Sequence, residues 1–238
     1  MMARRFRHCL AVLAMGYAGA AMSAAPHVLQ YLSPDEVAPG AVLPAPPPPG
    51  SIREQAELAE LHAIIAAAPP ARLEQARWDG EHEDPGLFDR MLGIELEKLP
   101  LTWSLLRDVQ REGASAASVN KIFYHRTRPW GVDASLPACE HAPEHKPTNS
   151  YPSGHATLGY STGYVLARLL PGHSADILNR ASDYAISREI CGVHFPSDLD
   201  ASHTLGTLVA IKLMANPVFR ARFDAARQEL IAAHVKGA

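Results

Sequence analysis

The chain has 238 residues, of which 47% are apolar and 20% charged, and its formal charge is −3. Those values describe a globular protein with one sizeable core. The mildly acidic balance excludes the basic character of a nucleic-acid binder, so any site for an anion must concentrate its cations locally.

Residues 1–25 stand apart. Arg4, Arg5 and Arg7 precede an apolar run over 9–22, and Ser23, Ala24 and Ala25 follow it. This is the layout of a secretory signal peptide, with an apolar run too short for a comfortable membrane span. Ala18-Gly19-Ala20 and the 22–25 region both fit a cleavage point. Removing residues 1–25 takes away three arginines and no acid, which moves the charge from −3 to −6. No other stretch is apolar enough to cross a bilayer, so the mature chain is expected to be periplasmic or otherwise secreted, without a membrane span. Cys9 leaves with the leader. Cys139 and Cys191 remain, and in an oxidising compartment they read as one disulfide or, less simply, as two buried thiols.

Residues 26–50 are rich in Pro and end in Pro46-Pro47-Pro48-Pro49-Gly50, which predicts an extended arm, partly polyproline II, ahead of a body over 51–238. A helix starts at or after Ser51: Ile52, Ala56, Ala59 and Ala63 recur at helical spacing until Pro69-Pro70 stops them. His62 within it reads as a surface or boundary residue. A short helix is expected over 71–77, then an acidic loop over 78–86. His82 among the carboxylates of that loop hints at a metal site, and a solvated acidic loop is the reading preferred. Helical periodicity returns over 87–99 and stops near Pro100. Separate helices are expected over 103–111 and 114–124, divided at Gly113, the second with Val119, Ile122 and Phe123 on its buried side. Residues 130–149, with Pro137, Pro143 and Pro147, read as a long loop of the kind that often carries function. Further helices are predicted over 153–170, from Ser174 as N-cap to about 190, from Ser197-Asp198-Leu199-Asp200 to Pro217, and over 219–234. Nothing alternates at period two and nothing repeats. The expected architecture is all-α.

Three clusters hold the unusual polar residues, each at a helix end or turn. The first runs from Lys121 to Pro129 and contains Arg128. Pro129 pushes Arg128 towards extended geometry, which ends the helix and projects the guanidinium from its end. The second is Pro152-Ser153-Gly154-His155, where a capped helix start with free N–H groups makes an anion site beside a histidine able to move a proton. The third runs from Ser187 to Asp198 and contains Arg188 and His194. Together they hold what phosphoryl transfer without a metal or other cofactor requires. Arg128, Arg188 and Lys121 supply cationic donors, and the N–H groups at Ser153-Gly154 supply neutral ones. Of two histidines, one can attack phosphorus and the other protonate the leaving oxygen. Asp198 follows His194 by four residues, and a carboxylate at one ring nitrogen fixes the tautomer and leaves the other nitrogen as nucleophile.

The pattern K-x6-R-P, then P-S-G-H, then S-R-x5-H-x3-D resembles the signature of the type 2 phosphatidic acid phosphatase and vanadate haloperoxidase superfamily, matched at every fixed position and in order. Within it the chain is similar to the bacterial class A non-specific acid phosphatases. The likeness lies in an N-terminal Tyr-Leu segment, a Pro-rich arm followed by Gly-Ser, Ser-Tyr-Pro-Ser-Gly-His, and Ser-Arg-x-Ile-Cys-Gly-x-His. The resemblance implies an all-α bundle with the site at the ends of core helices. It implies that His194 is the nucleophile, that Asp198 orients it, and that His155 is acid and then base. Lys121, Arg128, Ser153, Gly154 and Arg188 would bind phosphate, and Cys139 would pair with Cys191. The implied substrates are small phosphate monoesters, cleaved at acid pH by an enzyme that forms a homodimer or larger homo-oligomer. Trp130 after Arg-Pro, the acidic 79–86 stretch and Ser202-His203 depart from the family pattern. Three other readings use the same residues. A vanadate haloperoxidase would hold vanadate in the same cradle, a lipid or pyrophosphate-carrier phosphatase shares the motifs, and a non-catalytic anion binder would leave the two histidines and Asp198 unexplained.

Overall fold

The computed structural model describes residues 29–139 and 147–238. The leader expected over 1–25, the first three residues of the expected arm and the 140–146 part of the long loop, Pro143 included, lie outside the described residues. The described residues contain no strand. In chain order their helices are α1 (Ile52–Ala67), α2 (Pro70–Glu81), α3 (Asp89–Leu92), α4 (Pro100–Tyr124), α5 (Pro129–Val132), α6 (Gly154–Leu169), α7 (Ser174–Ile190), α8 (Pro196–Ala215) and α9 (Pro217–Ala232). Short 3-10 turns occupy Pro34–Val37, Pro85–Phe88, Leu96–Lys98 and Pro171–His173. The all-α architecture expected from the sequence is the one observed.

Prolines that the sequence offers as stops are starts. Pro70, Pro100, Pro129 and Pro217 each open a helix, as does Pro196, where the missing N–H is one that has no intrahelical partner and the fixed φ is already helical. Ser51 caps α1 by accepting from the Glu54 N–H, and Ser153 caps α6 by accepting from the Ala156 N–H at 3.3 Å.

The centre of the bundle is α6, which packs against α4, α7 and α8. Its small residues make that closeness sterically feasible. A Cβ at Gly159 would stand 2.7 Å from the Tyr184 ring, and a Cβ at Gly206 of α8 would stand 2.8 Å from the Thr157 carbonyl oxygen. Around these crossings Leu105, Leu106, Val109, Val165, Leu166, Leu205 and Val209 are wholly buried. The arm lies along this body. The N–H groups of Gln30 and Tyr31 donate to Glu112, Tyr124 and Tyr151 donate their hydroxyls to the Leu43 and Pro44 carbonyls at 2.7 Å, and Val37 and Leu43 are buried.

Four local expectations need correction. Helix α2 continues to Glu81, so half of the supposed acidic loop is helical, and Asp79 is fully buried against Arg180 and Ser187. Residues 87–99 are not one helix, because Gly93 takes a left-handed conformation (φ 67°) that closes α3 after one turn, and Asp89 accepts from the Leu96 N–H at 3.1 Å. Gly113 does not divide two helices. It sits inside the 25-residue α4, where a Cβ would stand 2.9 Å from Ser161 Oγ, so it serves a helix crossing. Val119, Ile122 and Phe123 are 37%, 68% and 60% exposed. The buried stripe of α4 is instead the one through Val109, Gly113, Ala116, Ala117 and Asn120, and Val119, Ile122 and Phe123 lie off it.

Candidate functional site

The C-terminal ends of α4 and α7 meet the N-terminal ends of α6 and α8 at one end of the bundle. Helix α4 stops because His125 adopts a left-handed conformation (φ 48°), donating its N–H to the Lys121 carbonyl. Arg128 is then extended, with ψ 155°, as a residue ahead of proline must be. The reversal places Lys121 Nζ on the Asn149 carbonyl at 2.5 Å. It also places Lys121 beside the start of α6, where a Cβ at Gly154 would lie 3.8 Å from Lys121 Cε. Lys121 and Arg128 therefore converge through a turn and not through a shared helix face.

His194 occupies the short link between α7 and α8 and is 1% exposed. Its Nδ1 lies 3.2 Å from Asp198 Oδ2, and its Nε2 lies 3.2 Å from the Arg128 Nη1, which also donates to the Val193 carbonyl at 3.0 Å. A guanidinium only donates, so Nε2 must present its lone pair, and the ring proton is on Nδ1, facing the carboxylate. Asp198 is held on every side. Oδ2 also accepts from Ser150 Oγ at 2.5 Å and from the Phe195 N–H at 2.9 Å, and Oδ1 accepts from Arg126 at 2.7 Å. Arg126 in turn donates to Ser197 Oγ at 2.7 Å and to Glu57 of α1 at 2.8 Å, with its guanidinium 3.9 Å over the Phe195 ring.

His155 stands in the first turn of α6. Its Nε2 lies 3.0 Å from the Gly80 carbonyl oxygen and 3.0 Å from Glu83 Oε1. Arg188, at the C-terminal end of α7, is 1% exposed and close enough to repel charge on both histidines and on Lys121. The 139–191 disulfide, with Cα atoms 4.8 Å apart, and the Cys139 N–H donated to the Cys191 carbonyl at 2.8 Å fasten the loop after Arg128 to the link that carries His194.

The electrostatics follow from this crowding of cations. Burial pushes His194 well below the usual histidine value, and Arg128, Lys121 and Arg188 push it further. An Asp198 partner alone predicts the opposite direction, and here burial and three cations outweigh it. Burial, then Arg188, lowers His155 as well, against the opposing Gly80 carbonyl. Burial and then Arg128 bring Lys121 down to about 7. Arg128 and Arg188 thus set up a positive potential at this end of the bundle that a nearby negative charge would offset.

All eight residues singled out as catalytic or phosphate-binding thus lie at this end of the bundle. The sequence reading missed Arg126, Ser150 and Glu57, which hold Asp198, and Gly80 and Glu83, which face His155. Arg126 is the third base in the Lys121–Pro129 cluster, but only the left-handed turn at His125 directs it inward. Glu57 reads as one more polar residue of an amphipathic helix, and no spacing rule connects it to a motif about 140 residues away. His62, read as a surface or boundary residue, pairs with Asp133 at 2.8 Å, and His82 stacks on Trp78 at 3.9 Å.

Known proteins resemble the chain over this region. The model of the PAP2 superfamily matches residues 111–222, a span that holds all eight residues. An acid phosphatase of Zymomonas mobilis is 32% identical over 141 residues, covering 58% of this chain and 53% of that protein, so the match spans about half the length of that relative. Non-specific acid phosphatases of Salmonella typhimurium and Providencia stuartii are each 29% identical over 197 residues, covering 78% and 79% of both partners respectively. Among solved structures, a transmembrane PAP2 type phosphatidylglycerolphosphate phosphatase from Bacillus subtilis superposes with a TM-score of 0.51 at 21% identity. That superposition covers 74% of this chain and 88% of the other, a likeness of fold. Residues 111–222, with their three polar clusters in order, are where the chain is similar to the PAP2 superfamily.

Proposed function

We propose that the chain is an exported acid phosphatase that hydrolyses phosphate monoesters of broad structure through a phosphohistidine at His194, without a metal ion. The observation that carries this reading is the pinned imidazole of His194, with Nδ1 on Asp198 and Nε2 beside Arg128. The names of the Zymomonas, Salmonella and Providencia relatives support the substrate class. The leader-like layout of residues 1–25 and the 139–191 disulfide support export. In the same reading the arm is 26–50 and the catalytic domain 51–238.

The steps follow from the donors. A phosphate group entering the cradle takes the N–H groups of Arg128, Arg188, Lys121 and the α6 N-terminus at Ser153-Gly154. Arg128 then releases the Nε2 lone pair, which attacks phosphorus while the bond to the leaving oxygen breaks. Asp198 stabilises the positive charge that develops on the ring, and protonated His155 gives its proton to the leaving oxygen. His155, now neutral, takes a proton from water as that water attacks phosphorus and releases His194. Because His155 is held well below its ordinary value in the unliganded protein, the protonated form needed for this step is favoured by acid pH. His194 is lowered as well and stays neutral and nucleophilic there.

The test is hydrolysis of p-nitrophenyl phosphate with a chelator present. Turnover at acid pH that survives the chelator is expected. No turnover, or turnover restored only by a metal, would sink the reading. Bromide oxidation by peroxide on adding vanadate would transfer the site to the haloperoxidase reading.

A further inference from the structure

The acidic 79–86 stretch, which ends α2 and leads into the Pro85–Phe88 turn, departs from the family pattern, yet it is built against the site. Asp79 is fully buried and ion-paired to Arg180 at 2.6 Å, and it accepts from Ser187 Oγ, one residue before Arg188. Arg72 of α2 donates to the same Ser187 oxygen at 2.9 Å. Tyr184 donates its hydroxyl to the His82 carbonyl at 2.8 Å, and its ring stands 6.1 Å from that of His155. The segment is therefore hung on α7 at three points, Arg180, Tyr184 and Ser187. What it presents to His155 is two acceptors on one nitrogen, the Gly80 carbonyl and the Glu83 carboxylate, each 3.0 Å from Nε2.

Two acceptors require a donor between them, so Nε2 carries the proton in the neutral ring and Nδ1 takes up the second one. We propose that Glu83 is a positioning residue for His155, accepting its Nε2–H so as to fix the ring and favour its protonated form. The other groups facing that ring work against the charge. Arg188 from α7, His194 from the α7–α8 link and Arg128 from the turn after α4 all disfavour it, and the neighbouring Tyr184 is uncharged. Glu83 and the Gly80 carbonyl are what this structure sets against those cations. The Glu83 side chain is 58% exposed and that of His155 is 18% exposed, so the pair is partly solvated and its effect is one of tuning.

The role in turnover rests on the phosphatase reading, and the titration of His155 does not. The experiment is an NMR titration of the His155 ring, assigned by its loss in His155→Gln, with and without inorganic phosphate, in wild type, Glu83→Gln, Glu83→Asp and Glu81→Gln. Removing the carboxylate charge from a partly solvated pair is expected to lower the His155 pKa by about 0.5–1 pH unit. Glu83→Asp should keep part of the effect, and Glu81→Gln, a charge loss on an exposed neighbour, should leave it unchanged. In kcat/KM the alkaline limb of Glu83→Gln should move to lower pH by the same amount, a loss of about 3- to 10-fold on that limb. An unmoved His155 titration in Glu83→Gln would overturn the proposal. So would a lower KM with a higher kcat, which is the signature of a carboxylate that merely obstructs the site. Loss of turnover in every protein with the titration behaving as expected would contradict the phosphatase reading and leave the pairing intact.

Discussion

Arg126 is the residue whose removal tests the account of Asp198 most severely. It is 6% exposed and donates to Asp198 at 2.7 Å, Glu57 at 2.8 Å and Ser197 at 2.7 Å. Replacing it by Met keeps most of the volume and strands two buried carboxylates from different parts of the chain. Two charge-assisted hydrogen bonds at about 1.5–3 kcal/mol each give roughly 3–6 kcal/mol, and breaking a buried pair by removing one partner costs about 3–5 kcal/mol. The two routes agree on about 4 kcal/mol. For a chain of this size that corresponds to a fall in Tm of roughly 8–16 °C. Urea unfolding at pH 7 with the disulfide intact would read it directly. Adding Glu57→Gln to Arg126→Met should recover part of the loss, since one of the two stranded charges is then gone. A loss below about 1 kcal/mol, the size typical of an exposed pair, would refute the claim that Arg126 holds the network together.

Gly159→Ala places a Cβ 2.7 Å from the Tyr184 ring and should destabilise by about 1–3 kcal/mol through overpacking; no change in the urea midpoint would contradict the close crossing of α6 and α7. Replacing Cys139 and Cys191 together by Ser opens a closure of 52 residues in separation and should cost about 4 kcal/mol on the loop-entropy relation, measured by thermal unfolding. Lys121 loses its charge above about 7 in the unliganded protein, so binding an anion there must return a proton. Affinity for tungstate, read by calorimetry, should then fall with rising pH by up to about tenfold per unit above that value, and Lys121→Met should flatten the slope; a pH-independent affinity between pH 6 and 9 would contradict the assignment.

The fold was legible where a single rule governs. Caps at Ser51 and Ser153 and prolines at helix edges marked most boundaries, and the absence of period-two alternation excluded strands. It was illegible where tertiary contact overrides propensity. Gly113 looks like a helix breaker until Ser161 is seen against it, and Val119, Ile122 and Phe123 look like core residues until the buried stripe of α4 is traced. The same division holds at the candidate site. Residues whose chemistry is carried in short spacings, such as His194 with Asp198, could be read from the chain. Glu57, Asp79 and Glu83 act across 69 to 140 residues of sequence, and no local pattern encodes such pairings. The acidic stretch is the instructive case: charge composition alone suggests a solvated loop, while burial against Arg180 makes Asp79 an anchor.

The central claim is that His194 carries the phosphoryl group. Rapid acid-free quenching of the protein with a labelled phosphate monoester, followed by peptide mapping, tests it most directly. An acid-labile, base-stable label on His194 is expected, more of it in His155→Ala because hydrolysis of the intermediate is slowed, and none in His194→Ala. A label on another residue would contradict it, and so would full turnover in His194→Ala.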